Sequence, residues 1–201
     1  MRVRMITAAL VGALALGVAA PAFAAADGWQ VRARAIGVLP DVDSSLTPAL
    51  VADVDDAWMP EFDFTYFISE HISLELILAT TEHDVSASGV ALGSVWVLPP
   101  TLTAQYRFNP EGQIQPYVGA GVNYTIFYGE DEPAGINMSY DDSFGLALQV
   151  GVDYMLDEHW LINVDVKKIW LSTDINMNAG TVTGEVDIDP WVIGVGIGYR
   201  F

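Results

Sequence analysis

The final stretch of the chain, Trp191-Val-Ile-Gly-Val-Gly-Ile-Gly-Tyr-Arg-Phe201, decides the fold class. Every second side chain in it is large and apolar or aromatic, and the positions between are glycines, one valine and one arginine. A period of two is typical of a β-strand, whose successive side chains point to opposite faces. The glycine run is not a dinucleotide-binding motif, because the chain ends where the helix of such a motif would begin.

The same alternation recurs along the chain and predicts eight strands. Each segment is long enough to cross a bilayer as a tilted strand of about 9–11 residues. Two uncharged stretches, 85–106 and 112–129, have the length of a membrane helix, but their prolines, glycines and β-branched residues favour strands. The predicted strands cover approximately residues 28–39, 58–69, 71–82, 95–108, 114–128, 142–156, 159–173 and 186–201.

The connections between these strands alternate in length. They are short after the second, fourth and sixth strands, and have about 12 to 19 residues after the others. Aromatic residues gather at the strand ends, as in the girdles of transmembrane barrels. A soluble β-sandwich would hide its apolar face, and too few residues remain here to cover eight such faces. We therefore predict an all-β fold: an eight-stranded antiparallel transmembrane β-barrel with both termini periplasmic.

Residues 1–24 are predicted to be a signal peptide. Arg2 and Arg4 precede an apolar stretch, and a small-x-small site ends at Ala24. Cleavage near residues 24–26 would release residues 25–201 as the barrel. The expected location is the bacterial outer membrane.

Composition excludes several classes of function. The 201-residue chain has a formal net charge of −18 and no cysteine. The lack of cysteine excludes disulfides, thiolate metal sites and cysteine nucleophiles. The acidic balance argues against nucleic acid as a partner, because phosphate binding needs a basic surface.

The inward face of the predicted strands carries ten charged side chains, five basic and five acidic. An eight-stranded barrel is only just wide enough for side chains to fill it. Unpaired charges there would cost much free energy, so an ion-pair network is expected. We call this set the polar plug: Arg32, Arg34, Glu61, Asp63, Glu75, Arg107, Asp153, Asp165, Lys167 and Arg200.

The inward positions nearer the predicted outer surface are nearly all apolar. They are Ile36, Val38, Met59, Ile77, Val95, Val97, Phe127, Ile169, Leu171 and Ile188. Two interpretations stay open. These residues either pack the barrel top or line a hydrophobic lumen that binds an apolar solute, since ligand pockets are mostly apolar.

A solute in such a lumen would meet the polar plug and would have to leave through the wall. Proline removes a hydrogen bond from a strand ladder. Pro60, Pro99 and Pro100, which we interpret as lying on neighbouring strands, are therefore predicted to form a lateral gate.

No catalytic arrangement stands out in the sequence. His71 and His159 fall at short turns and His83 at an outer loop, and no nucleophile is placed beside any of them. The acidic outer loops lack the order of ligands of a calcium loop and indicate a solvated rim. We expect no enzyme activity, no cofactor and no metal site.

Several blocks of sequence resemble the OmpW family of outer-membrane proteins. They are Leu98-Pro-Pro-Thr-Leu102 with Ala104-Gln105, Pro116-Tyr-Val-Gly-Ala-Gly-Val-Asn-Tyr124, Gly151-Val-Asp-Tyr154, Asp189-Pro-Trp-Val192 and Gly198-Tyr-Arg-Phe201. The resemblance implies a hydrophobic channel with a lateral opening that passes small apolar compounds, and AlkL-type alkane facilitators as relatives. It also implies that Tyr199 and Phe201 belong to the signal read by the barrel-assembly machinery.

The predicted function is passive uptake of small hydrophobic molecules. The alternative is a non-transporting barrel, structural or a receptor for phage, bacteriocin or host surfaces. The expected partners are outer-membrane lipid and lipopolysaccharide, small apolar solutes and the barrel-assembly machinery.

Overall fold

The computed structural model describes residues 28–47, 51–131, 137–178 and 180–201. The predicted signal peptide, residues 1–24, lies outside these ranges and stays a prediction. Among the described residues, no helix is long and apolar enough to cross a membrane.

The described chain forms fifteen β-strands joined by turns and short irregular segments. They are β1 (Trp29–Leu39), β2 (Asp43–Thr47), β3 (Ala52–Val54), β4 (Ala57–Phe67), β5 (Ile72–Ala79), β6 (Thr81–Ala87), β7 (Val90–Leu98), β8 (Thr101–Arg107), β9 (Ile114–Asp131), β10 (Met138–Tyr140), β11 (Ser143–Met155), β12 (Trp160–Trp170), β13 (Ser172–Met177), β14 (Val182–Asp187) and β15 (Trp191–Arg200).

Eight of these strands close into an antiparallel barrel, which confirms the predicted fold. Their order is β11-β12-β15-β1-β4-β5-β8-β9, and β9 pairs again with β11. Closure pairs the first and last strands of the sheet, so the barrel has no free edge strand, and a membrane has no water to hydrogen-bond such a strand. The first and last strands are neighbours, with Gln30 opposite Arg200 and Leu39 opposite Trp191.

The two ends of the barrel differ. The described chain starts and finishes at one of them, where the Phe201 N–H donates to the Trp29 carbonyl at 2.9 Å. We call this the terminal end and the opposite one the extended end.

The predicted long connections lie at the extended end, but they are not irregular loops. The chain continues there as strands that divide into two lobes. Lobe A is the four-stranded sheet β10-β13-β14-β2, and lobe B contains β3, β6, β7 and residues 126–131 of β9. These strands carry acidic residues on an exposed face, so their composition is that of loops although their backbone is paired. In β13, for example, Ile175 is buried while Asp174 and Asn176 are exposed.

The two lobes pack against each other through a small hydrophobic core. Its buried members are Ala52, Ala87 and Leu92 from lobe B, and Met138, Ile175, Met177, Val182 and Val186 from lobe A. This core closes the extended end above the barrel.

The outside of the barrel is an apolar band. Leu146, Val150 and Ile197 expose 60%, 55% and 55% of their surface. In water such exposure on every strand would be costly, whereas in a bilayer it is the expected contact with lipid. Exposed aromatic residues border the band: Trp29, Tyr66, Tyr106, Trp160 and Phe201 at the terminal end, and Trp58, Trp96, Tyr128, Trp170 and Trp191 at the extended end.

Candidate functional site

Arg32 lies at the centre of the polar plug and is almost fully buried. Its Nε is 2.8 Å from Asp63 Oδ1, its Nη1 is 3.2 Å from Asp153 Oδ1, and its Nη2 pairs with Glu75 Oε1. One guanidinium thus joins three carboxylates from three strands. Charge-assisted hydrogen bonds of this kind offset the desolvation of the ions and fix the geometry.

Arg34 and Lys167 form the upper layer of the polar plug. Arg34 Nε is 2.8 Å from Glu61 Oε1, and Arg34 Nη2 is 2.9 Å from Asp63 Oδ2. Lys167 Nζ lies 2.9 Å from both Glu61 Oε1 and Asp165 Oδ1. This layer separates the plug from the apolar space above it.

Arg107 and Arg200 lie nearest the terminal end. Arg107 Nη1 is 2.6 Å from Asp153 Oδ2. Arg200 departs from the expected pairing: in the described part of the chain it makes no ion pair, and it donates instead to Gln30 Oε1 and Gln115 Oε1. The structure therefore pairs four of the five plug cations with carboxylates.

The plug also contains neutral side chains that were not predicted from the sequence. Tyr117 is fully buried, and its hydroxyl donates to Asp165 Oδ2 at 3.0 Å while accepting from Asn163 Nδ2 at 3.0 Å. Tyr117 occupies one of the alternate positions of β9 that face inward, and this was the feature of the sequence that could have identified it. Other buried neutral residues of the barrel interior include Gln30, Thr65, Ser73, Thr103, Gln105, Gln115, Asn123 and Gln149.

Two inward glycines make room for these side chains. A Cβ at Gly198 would lie 2.6 Å from Arg32 Cγ, and a Cβ at Gly151 would meet the Tyr117 ring. Any larger residue would therefore displace the central arginine or the buried tyrosine.

Above the plug is an apolar cavity of about 90 Å³, which we call the chamber. All ten residues predicted for the hydrophobic lumen line it, and Glu61 and Lys167 form part of its floor. Both lobes also contribute to its walls, which the sequence pattern did not predict. These further lining residues include Ala52, Val54, Val85, Tyr140, Thr173, Ile175 and Val186.

The barrel wall is unpaired beside the chamber, between the third and fourth barrel strands. The β5–β8 ladder ends at Ile77 opposite Thr101, and the β6–β7 ladder begins at Thr81 opposite Val97. No described ladder joins residues 78–80 to residues 98–100. Pro99 and Pro100 lie in this gap, where the first of them lines the chamber.

The placement of Pro60 on a neighbouring strand is wrong. Pro60 lies in β4, opposite Ala35 of β1, and the strand of β5 and β6 separates it from Pro99 and Pro100. The alternation of side chains predicts which residues of a strand face inward, but not which strands are neighbours. In the structure, the strand that carries Pro60 does not adjoin the strand that carries Pro99 and Pro100.

A hydrogen bond crosses the gap on its outer side. Thr80 Oγ1 lies 2.6 Å from the hydroxyl of Tyr128, which is on β9 beyond the fourth strand. Both side chains are exposed on the outer surface. This contact ties the third barrel strand to the fifth where the ladder itself is missing.

The three histidines bind backbone carbonyls. His71 and His159 donate from Nδ1 to the carbonyls of Arg107 and Arg200. His83, in lobe B, lines the chamber and contacts the Asp55 carbonyl at 3.1 Å. Burial lowers the pKa of His83, although its hydrogen bond with the Asp55 carbonyl acts in the opposite direction.

The sequence profile of the OmpW family matches residues 26–201. The chain belongs to the OmpW family. An outer-membrane protein called y4mB from Sinorhizobium fredii is 46% identical over 86% of this chain and 80% of its own. Outer membrane protein W of Vibrio cholerae is 36% identical over 90% of this chain and 93% of its own.

A more distant relative of this OmpW-family barrel is the dibenzothiophene metabolism operon protein PahQ of Pseudomonas aeruginosa. It is 28% identical over 91% of this chain and 93% of its own. These relatives place the chain in the bacterial outer membrane. None of their names is that of an enzyme.

Solved structures have the same barrel. OprG from Pseudomonas aeruginosa superposes with a TM-score of 0.82 at 34% identity, covering 88% of this chain and 96% of its own. AlkL superposes with a TM-score of 0.70 at 21% identity, covering 88% and 90%. The AlkL similarity concerns the fold.

Proposed function

We propose that this OmpW-family barrel facilitates the passive uptake of small hydrophobic molecules. The observation that carries the proposal is the chamber: an apolar cavity between the lobes and the polar plug, beside an interrupted strand ladder. Ligand pockets are mostly apolar, with few polar groups. The Glu61–Lys167 pair at the floor is polar but already satisfied.

The polar plug would stop an apolar solute from moving straight through. Its side chains fill the barrel, and most of its charged groups are paired with one another, so a solute that separated them would leave buried charges without partners. We therefore propose a lateral exit at the gap beside Pro99 and Pro100, which would deliver the solute into the hydrocarbon of the membrane. The name of PahQ, which refers to the metabolism of an apolar aromatic compound, supports this substrate class.

Orientation and partners belong to the same proposal. The terminal end would face the periplasm, and the lobes would lie outside the cell among lipopolysaccharide. Tyr199 and Phe201 would serve as the signal for the barrel-assembly machinery. Phe201 is 54% exposed and packs edge-on against Tyr199, with ring centroids 5.0 Å apart.

One observation favours the alternative of a non-transporting structural or receptor barrel. The chamber volume of about 90 Å³ is small. It is less than the roughly 150 Å³ of an engineered apolar cavity that takes up benzene. Transport therefore requires the chamber to widen, and the core between the lobes is the part that would have to open.

An uptake assay separates the two functions. Ile36→Asp, Val97→Asp and Leu171→Asp each place a charge in the chamber wall, and we expect each to abolish the uptake of naphthalene by cells that depend on this protein. Ser45→Asp adds the same charge at an exposed position of lobe A and serves as the control. If the three chamber variants assemble and uptake is unchanged, the barrel does not transport through the chamber.

A further inference from the structure

The terminal end of the barrel is built from two similar halves. Tyr106-Arg107-Phe108 ends the fourth barrel strand, and Tyr199-Arg200-Phe201 ends the eighth. In each half a histidine, His71 or His159, donates to the arginine carbonyl and stacks on the tyrosine. Both guanidinium groups lie over the Phe67 ring, at 4.9 and 4.7 Å from its centroid.

The two arginines differ in their counter-charges. Arg107 is fully buried and pairs directly with Asp153. Arg200 is half-buried, and its Nε and Nη2 donate to Gln30 Oε1 at 3.1 and 2.8 Å, while Nη2 also donates to Gln115 Oε1 at 3.0 Å. Amide oxygens orient a guanidinium group but do not neutralise its charge.

The two glutamines hold Arg200 in place. Gln115 Nε2 donates to the carbonyls of Pro110 and Gly112 at 2.7 and 3.0 Å, so its Oε1 faces the arginine. Gln30 is fully buried. The positive charge of Arg200 is therefore fixed in position, and less entropy is lost when it binds a ligand.

Both arginines line one cavity of about 430 Å³ at the terminal end. Arg107 also has two buried guanidinium nitrogens, Nε and Nη2, that find no hydrogen-bond partner in the described part of the protein. Glu70 and Glu111 stand at the cavity rim, where both are exposed.

We propose that this cavity binds a small free oxyanion, a carboxylate or a phosphate, through the guanidinium of Arg200. Because Nε and Nη2 already donate to the two glutamines, Nη1 is the guanidinium nitrogen that would donate to an oxygen atom of the ligand. Arg107, fully buried in the cavity wall, adds positive potential, while the rim glutamates weaken binding by repulsion. With the terminal end in the periplasm, as proposed above, the ligand would be a periplasmic solute. This site does not depend on transport through the chamber.

Titration of the purified barrel tests the proposal. In a maltoside detergent, inorganic phosphate and acetate should each cause saturable shifts of the backbone amide signals of Arg200 and Gln115 in NMR spectra. Arg200→Gln should weaken binding about tenfold or more, since a hydrogen bond to a charged group contributes about 1.5–3 kcal/mol. Lys168→Gln, which removes a cation from the extended end, should leave the binding unchanged.

A second variant keeps the test decisive if Arg200→Gln does not assemble. Glu111→Gln retains both arginines and removes a repulsive charge, so it should strengthen phosphate binding. Absence of saturable shifts in the parent, or equal affinity in the parent and Glu111→Gln, would overturn the proposal. Shifts caused by phosphatidylglycerol bilayers but not by free phosphate or acetate would also overturn it, because the ligand would then be a lipid headgroup.

Discussion

The two halves of the barrel interior use opposite solutions to the same problem of filling a narrow tube. In the terminal half, buried charges and amides are joined by short contacts, such as the 2.8 Å contact of Arg32 with Asp63. In the extended half, Ile36, Met59 and Ile169 face an apolar cavity. The network resists opening because any movement would leave a buried charge without its partner. Apolar contacts can separate and re-form without that cost in free energy. The difference shows why a moving part would lie in the extended half.

The largest effect should follow from breaking the network at its centre. Arg32→Met would leave Asp63, Glu75 and Asp153 without their shared cation, and we expect it to lower the free energy of unfolding by about 3–5 kcal/mol. Urea unfolding in lipid vesicles, followed by tryptophan fluorescence, measures this. Lys168→Met is the control, because among the described residues the one ion pair of this lysine is with exposed Asp41 at 3.7 Å. The lysine also donates to the Asp189 carbonyl and lies over the Trp191 ring, so its loss should cost about 1–2 kcal/mol. Equal losses in the two variants would mean that the plug gains nothing from its burial and connectivity.

A smaller effect should appear at the gap in the wall. Tyr128→Phe removes the hydrogen bond to Thr80 and little else, and we expect faster uptake of naphthalene with no change in the urea midpoint of the barrel. A hydrogen bond of about 0.5–1.5 kcal/mol corresponds to an increase of about two- to tenfold in the open population. Thr80→Val should have the same effect. A loss of uptake in both variants would show that the contact holds the exit in shape rather than closed.

The smallest effect should be a pH dependence confined to lobe B. Because burial lowers the pKa of His83, the unfolded lobe takes up a proton more readily than the folded one. The contribution of neutral His83 to the stability of lobe B is therefore fully present above its pKa in the unfolded state, about 6.5. This contribution is lost as the pH falls from there toward the lower pKa of the folded state. Nearby Asp55 and Asp84 favour the protonated form and reduce the effect.

Hydrogen exchange of the β6 amides, corrected for intrinsic rates, measures this dependence. Protection should decrease between pH 7 and pH 5 in the parent and stay level in His83→Gln. The same decrease in both proteins would assign it to other groups of the lobe. Protection of the plug strands serves as the internal control, and we expect it to be unchanged over this range.

Much of the barrel could be predicted, because the alternation of apolar and polar side chains is a property of each segment taken alone. The predicted segment 142–156 corresponds to β11, Ser143–Met155. The ten apolar residues predicted for the lumen all line the chamber. The lobes could not be predicted in the same way. Their strands are short, one face of each is exposed, and these acidic faces have the composition of loops.

The sequence by itself determined the two faces of each strand, because alternation depends only on the geometry of one extended chain. Only the tertiary structure decided which inward groups meet. Strand order separates Pro60 from Pro99, and the register between first and last strands places Arg200 opposite Gln30 rather than beside a carboxylate. Those relations join residues far apart in the chain. They follow from the stagger and closure of the whole barrel, which no single segment encodes.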